Sequence, residues 1–206
     1  MKVLLINGSP HEKGCTYTAL SLIAGELKAQ GIETEILHVG GQPVGGCIGC
    51  GGCRCGSGCV FGGVVNEAIE KAKTADAFVF GSPVHYASAA GNMASFMDRL
   101  AYAGGKYLAY KPAAICCSAR RAGTTSTLDQ LVKYPQFFHM PLVNGSYWAM
   151  VHGSNPEQVL QDAEGCAVMQ ELGRNMAWLL HCIEAGKAAG IDHPQNPPRP
   201  MTSFIR

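Results

Sequence analysis

Lys2-Val3-Leu4-Leu5-Ile6-Asn7-Gly8-Ser9-Pro10-His11-Glu12-Lys13-Gly14-Cys15-Thr16 is the stretch on which the fold turns. Lys2–Ile6 is a short, almost wholly apolar run, as expected of a strand buried on both faces. It breaks at Asn7-Gly8-Ser9-Pro10. A helix is expected over Thr16–Ala29, with Leu20, Ile23, Ala24 and Leu27 on one stripe and Gly31 as its stop. Strand, small-residue turn, helix is the opening of a βαβ unit. The pattern repeats downstream. Strands are expected at Glu33–Val39, Ala77–Phe80, Ala113–Cys117 and, more weakly, Pro141–Tyr147. Helices are expected at Asn66–Thr74, Ala90–Leu100 and Thr124–Lys133. A long final helix is expected to start at the Asn155-Pro156 cap and run to Gly186. Alternation of this kind predicts an α/β fold, a five-stranded parallel sheet with helices on both faces.

The chain has 206 residues, 16 Lys+Arg and 15 Asp+Glu, for a formal net charge of +1. The hydrophobic fraction is 47%, enough for a packed core and too high for general disorder. The balanced charge argues against nucleic-acid and membrane-surface partners, which need a concentrated basic field. No apolar run approaches the roughly 18 residues of a membrane span, and the first apolar stretch is too short for a secretory signal. A cytoplasmic protein is expected. Residues 1–190 are read as one domain and 191–206, with four prolines, as an irregular tail.

Parallel sheets bind ligands beyond the carboxyl ends of their strands, so three loops draw attention. In Gly8–Thr16, Ser9 and Thr16 offer hydroxyls and the helix start offers backbone N–H groups. This suits a phosphate; a plain turn with a helix cap is the other reading. The loop has neither Gly-x-Gly-x-x-Gly nor Gly-Lys-Ser/Thr. Gly81-Ser82-Pro83-Val84-His85-Tyr86 follows the third strand. Ser118-Ala119-Arg120-Arg121-Ala122-Gly123 follows the fourth.

Residues 40–63 interrupt the pattern. They hold eleven glycines and five cysteines, Cys47, Cys50, Cys53, Cys55 and Cys59. Long loops in compact domains are usually functional or disordered. Soft thiolates at such spacing suit an iron–sulfur cluster or zinc, and reduced thiols or a redox-active disulfide remain as a third reading. Cys116, Cys117, Cys166 and Cys182 are expected to be buried as small apolar residues. Asp98-Arg99 is read as a salt bridge. Tyr147-Trp148 and Phe137-Phe138 are read as core, substrate wall or subunit contact. Neither Ser-His-Asp nor His-Glu-x-x-His arrangements are found, so hydrolysis is not expected.

The three loops, together with Gly91-Asn92-Met93 and Asp98-Arg99, resemble the flavodoxin-like NAD(P)H-dependent FMN reductases over roughly residues 1–150. The ending Phe204-Ile205-Arg206 resembles reductases of that group as well. The resemblance implies a flavodoxin-like fold and bound FMN, with Ser9, Pro10, Gly14, Cys15 and Thr16 around the phosphate. It implies that Ser82, Pro83, Val84, His85 and Tyr86 line the flavin and that Ser118, Arg120, Arg121 and Gly123 complete the pocket. Family members commonly have Asn or Ser where this chain has Cys15. NAD(P)H would donate electrons, and a quinone, nitro or azo compound, metal ion or carrier protein would accept them. The cysteine segment resembles that of the iron–sulfur flavoproteins, which implies Cys47, Cys50, Cys53 and Cys59 as ligands of a [4Fe–4S] cluster, with Cys55 extra. In that alternative, ferredoxin feeds the cluster and the cluster feeds FMN. A non-enzymatic thiol or metal sensor is the reading without flavin. A homodimer or homotetramer is implied as well, with the cysteine segment and the final helix as contacts.

Overall fold

The structure, a computed structural model, describes residues 1–56, 58–202 and 204. The chain runs β1 (Lys2–Asn7), α1 (Cys15–Ala29), β2 (Glu33–His38), a 3-10 turn at Gly52–Cys55, α2 (Val64–Thr74), β3 (Ala77–His85) and β4 (Ser88–Ala89). It continues with α3 (Gly91–Gly104), a second 3-10 turn at Gly105–Tyr107, β5 (Ala113–Ala119), α4 (Thr124–Phe137), β6 (Met150–His152), α5 (Pro156–Val159) and α6 (Ala163–Ala188). The sheet order is β2-β1-β3-β5-β6, every pair parallel, with β4 as a short antiparallel partner of β3. This is the flavodoxin order, with its switch point between β1 and β3.

The apolar runs are continuous because the strands are buried on both faces. Side chains alternate across a strand, so Val3, Leu5, Val79 and Cys116 face one core, and Leu4, Ile6, Phe78, Phe80 and Cys117 face the other. The first core is closed by α1 and α6, the second by α2, α3 and α4. Each fully buried Leu, Ile or Phe contributes about 1.5–3 kcal/mol.

Several boundaries differ from expectation. β3 does not stop at Phe80. It continues through Ser82 and Pro83, still paired with β5, and then folds back as a hairpin onto β4. Pro83 is tolerated because this end of β3 has left its pairing with β1, which ends at Gly81. The expected strand at Pro141–Tyr147 forms only an isolated bridge between Ala113 and Leu142. The fifth parallel strand is β6 instead. Gly145 sits so close to Val168 that a side chain there would meet it at 3.0 Å, and the Asn144 carbonyl is taken by Asn175. The segment is therefore held off the sheet until Met150. The single long final helix is two helices. Asn155 caps α5 as expected, but Asp162 caps a new start by accepting from the Gly165 N–H. α4 runs on to Phe137 with Pro135 inside it. Among the described residues no helix is long and apolar enough to cross a membrane. The tail from Ile191 has no regular element among its described residues; of its ending, Ile205 and Arg206 lie outside them.

α1 and α6 form the most extensive helix–helix contact, and Gly173 makes it possible. A Cβ there would lie 2.8 Å from both the Glu26 Cβ and the Ile23 carbonyl. Gly173→Val is expected to destabilise the fold by about 1–3 kcal/mol through overpacking, read as a lower midpoint in urea with an unchanged slope.

Candidate functional site

At the end of β1 the fully buried Asn7 organises the first loop. Its side-chain carbonyl accepts from the Ser9 N–H (3.1 Å), and its amide donates to the Glu12 carbonyl (2.9 Å). Ser9 Oγ then accepts from the His11 N–H. From outside, His38 at the end of β2 donates its Nε2–H to the Ser9 carbonyl at 2.7 Å. Gly40 packs directly on that same carbonyl, where any side chain would collide. The loop delivers the chain to α1 with Gly14 at the N-cap. No side chain caps that end and no acid lies in the first turn, so the helix start keeps its positive end open to an anion.

The three expected loops come together at one end of the sheet. The Gly8 N–H donates to the Gly81 carbonyl at 2.9 Å, joining the first to the second. Thr16 Oγ1 and Ser118 Oγ are 2.8 Å apart and both are buried, joining the first to the third. Gly123, at φ 93°, lies under Ala87 and Val84, where a Cβ would come within 2.6 Å of the Ala87 Cα. That joins the third to the second.

The hairpin turn of the second loop is strained. Tyr86 and Ala87 have φ of 50° and 57°, a left-handed conformation that costs roughly 1–2 kcal/mol per non-glycine residue. It is held by α4: Ser126 Oγ donates to the Ala87 carbonyl (2.6 Å), and Gln130 Oε1 accepts from Ser88 Oγ and the Ala89 N–H. Ser82 Oγ accepts from the Ala90 N–H. Pro83 and Val84 are half-buried, whereas His85 and Tyr86 stand exposed at the tip. Pro10, Arg120 and Arg121 are also exposed, and neither arginine pairs with a carboxylate among the described residues. Cys15 is turned away from the loop. Its thiol donates to the Gly153 carbonyl beyond β6 at 3.5 Å, and burial pushes its pKa up.

The cysteine segment is a separate, well-tethered feature. At its start, Asn92 accepts from the Val44 N–H and donates to the Gly40 and Gln42 carbonyls. At its end, Asn66 holds both backbone groups of Cys59, accepting from its N–H (2.8 Å) and donating to its carbonyl (3.0 Å). Between them Arg99, 6% exposed, donates to the Gly45 and Gly62 carbonyls and to Cys59 Sγ. The expected Asp98–Arg99 pair does not form, because helical neighbours point apart; Asp98 accepts from Tyr134 OH instead. Cys47, Cys50, Cys53 and Cys59 line one pocket of about 150 Å³ with Phe61, Arg99 and Tyr102. Cys55 is not among its lining residues. No disulfide is present among the described residues, and no three His, Cys, Asp or Glu side chains there converge on a point that would hold a single metal ion. Of the remaining cysteines, Cys116 and Cys117 are buried as expected. Cys166 is half-buried and Cys182 is exposed, because the outer face of α6 is open to solvent.

The anchoring roles of Asn7, His38, Asn66, Asn92 and Gln130 leave no mark in the sequence, although Asn92 belongs to the run that carries the resemblance. Nothing in the local spacing of His38, Asn92 and Gln130 reveals partners some 30 to 50 positions away, and Asn7 and Asn66 bond backbone groups nearby that carry no side-chain signature. Phe137, Tyr147 and Trp148 prove exposed. The latter two pack edge to face at 4.8 Å beside an open cleft of about 480 Å³ between α4 and residues 142–149.

Comparison with known proteins adds to this geometry. The model of a family described as NADPH-dependent FMN reductase matches residues 1–155. An iron-sulfur flavoprotein of Methanocaldococcus jannaschii is 27% identical over 192 residues, covering 89% of this chain and all of the relative. Among solved structures, a flavodoxin from the domain Archaea aligns over 88% of this chain and 99% of its own (TM-score 0.60, 14% identity). RosB, solved with 8-demethyl-8-formylriboflavin-5'-phosphate, aligns over 100% and 96% (TM-score 0.71, 13% identity). The flavodoxin-like fold is thereby shown.

The cysteines divide by reactivity. Burial pushes the Cys117 thiol up to about 12 and Cys116 further. Both are thereby kept as thiols, and the thiolate is the reactive form. A thiol reagent at pH 8 is expected to modify Cys47 and Cys50 in the folded, metal-free protein and to reach Cys116 and Cys117 only after unfolding. Mass mapping of the labelled peptides checks this.

Proposed function

Because the chain belongs to the NADPH-dependent FMN reductase family, we propose that it binds FMN at the three joined loops and uses it to pass electrons from NAD(P)H to a small acceptor. The observation that carries this reading is the pairwise locking of the loops at the switch point of the sheet, beside a helix start left open to an anion. The residues present fit the cofactor. Ser9, Gly14, Thr16 and the first-turn N–H groups of α1 would hold the phosphate. Ser82, Pro83, Val84, Ser118 and Gly123 offer a largely uncharged wall for the ring system, with Tyr86, Arg120 and Arg121 exposed at its rim. FMN held there would supply the redox chemistry, hydride acceptance from a nicotinamide and onward electron transfer.

The chain's own work is to bind and orient. Asn7 and His38 fix the Ser9 backbone, so the loop needs little ordering when an anion arrives. Gln130 and Ser126 keep the strained hairpin in place, which fixes the angle at which Pro83 and Val84 meet a flat ligand. Nothing in the loops is arranged as a general acid or base. Both substrates would meet the flavin at the same exposed rim, so they are expected to share one site and react in ping-pong order.

A second reading concerns the cysteine segment. Four thiols lining one pocket around a buried guanidinium, in a chain similar to an iron-sulfur flavoprotein, support a [4Fe–4S] cluster held by Cys47, Cys50, Cys53 and Cys59. The pocket suits a polynuclear group better than zinc, which draws its four ligands to one point. Electrons would then also enter through the cluster from a carrier such as ferredoxin.

FMN titrated into the purified protein is expected to bind with quenched fluorescence, and excess NADPH or NADH to bleach it without oxygen. Thr16→Val keeps the shape and removes the hydroxyl, and should weaken FMN about tenfold, the scale of one or two hydrogen bonds. Riboflavin, which lacks the phosphate, should lose affinity against wild type and be little affected by this substitution. Equal FMN binding by wild type and variant, or initial-rate plots that intersect, would contradict this account of the site.

A further inference from the structure

Arg99 is a buried cation without a carboxylate partner. It is 6% exposed, and its sequence neighbour Asp98 is engaged by Tyr134. Among the described residues no Asp or Glu pairs with it. Its donors reach the Gly45 carbonyl (3.4 Å), the Gly62 carbonyl (2.9 Å) and Cys59 Sγ (3.2 Å). The Phe61 ring lies 5.7 Å away. Carbonyls satisfy the N–H groups, but they cancel no net charge. A buried charge left uncompensated is strongly destabilising, and lysine or arginine is rarely so buried unless paired. The guanidinium lines the one pocket that gathers Cys47, Cys50, Cys53 and Cys59. Its described lining holds no Asp or Glu, and the four cysteine sulfurs are the groups that a bound metal centre would make anionic.

Resting on the cluster reading above, we infer that Arg99 is the counter-charge of the cysteine-bound cluster and that its positive charge, held against the Cys59 sulfur, keeps the cluster's reduction potential up. Four thiolates outweigh the positive charge of a [4Fe–4S] core, so the loaded pocket is anionic and the guanidinium neutralises part of it. One-electron reduction by dithionite adds one more negative charge. A fixed cation stabilises the reduced form more than the oxidised one, and hydrogen bonds to cluster sulfurs act in the same direction. Arg99 is a positioning residue as well: the same side chain fastens both limbs of the segment through Gly45 and Gly62.

The two roles separate experimentally. Wild type, Arg99→Gln and Arg99→Lys are reconstituted with iron and sulfide without oxygen, with FMN present. Three quantities are read: iron per chain, the cluster's midpoint potential by optical titration with dithionite, and the rate of iron loss to a chelator. Arg99→Gln is expected to shift the potential downward and to lose iron roughly tenfold faster, the scale of one hydrogen bond to a charged group. Arg99→Lys keeps the charge but not the planar fork, so its potential should stay near wild type while iron is still lost faster. A wild-type potential in Arg99→Gln would overturn the inference and leave Arg99 as a fastener only. A potential in Arg99→Lys as low as in Arg99→Gln would overturn it too. Should Arg99→Gln fail to fold, judged by its thermal transition, Arg99→Met takes its place as the uncharged variant and is read by the same potential. Wild type that takes up no iron under these conditions would sink the cluster reading itself, and this inference with it.

Discussion

Asn7 is where four parts of the chain are tied together. Its side chain closes the first loop on Ser9 and Glu12, and its backbone carbonyl accepts from the Val39 and Gly40 N–H groups that follow β2. The next residue, Gly8, donates to Gly81 in β3. A buried amide with unmet hydrogen bonds is costly, so each partner is obligatory. Every loop of the site is therefore referenced, directly or at one remove, to this single position on the sheet. A parallel sheet ends with several chains leaving in the same direction, and something must keep them from splaying. Here the buried polar residues Asn7, Ser9, Thr16, Ser82 and Ser118 do so.

The layers of the fold were legible because burial on both faces leaves a local mark. Lys2–Ile6, Ala77–Phe80 and Ala113–Cys117 read as strands from their composition alone, and the stripe on α1 read as a helix. What escaped depended on contacts far apart in sequence. β3 runs past Pro83 because β5 and β4 are there to pair with it. β6 is only three residues long, too short for any periodicity to reveal. The final helix breaks at Asp162 because that carboxylate also takes the His152 N–H, a tertiary contact that a periodic apolar pattern cannot record.

The site was legible in a similar, partial way. Glycine, serine and proline at strand ends marked where the loops would be, and the structure brings all three together. The residues that fix them were invisible, since Asn7, His38 and Gln130 look like ordinary polar positions. Cys15 shows the converse. Its place in the first loop suggests a contact with ligand, yet its thiol is turned to the Gly153 carbonyl, a partner 138 positions away. In the cysteine segment, spacing pointed to a shared pocket, and four of the five thiols do line one. It gave no hint that Arg99 would abandon its neighbour Asp98 to sit among them.

The way that segment is fastened bears on how such a protein changes over time. Asn66 on α2 and Asn92 on α3 grip main-chain atoms: the groups of Gly40, Gln42, Val44 and Cys59. Arg99 does the same at Gly45 and Gly62. Except at the Cys59 sulfur, the hydrogen bonds of this socket go to backbone, so side-chain identity matters only where space or φ demands glycine, as at Gly40 and Gly58. The segment between the grips is thus a replaceable cartridge. Cysteines can be gained, lost or respaced within it while the sheet, the three loops and their anchoring stay as they are. The same socket gives a protein engineer a defined place to insert a loop of new chemistry without disturbing the sheet.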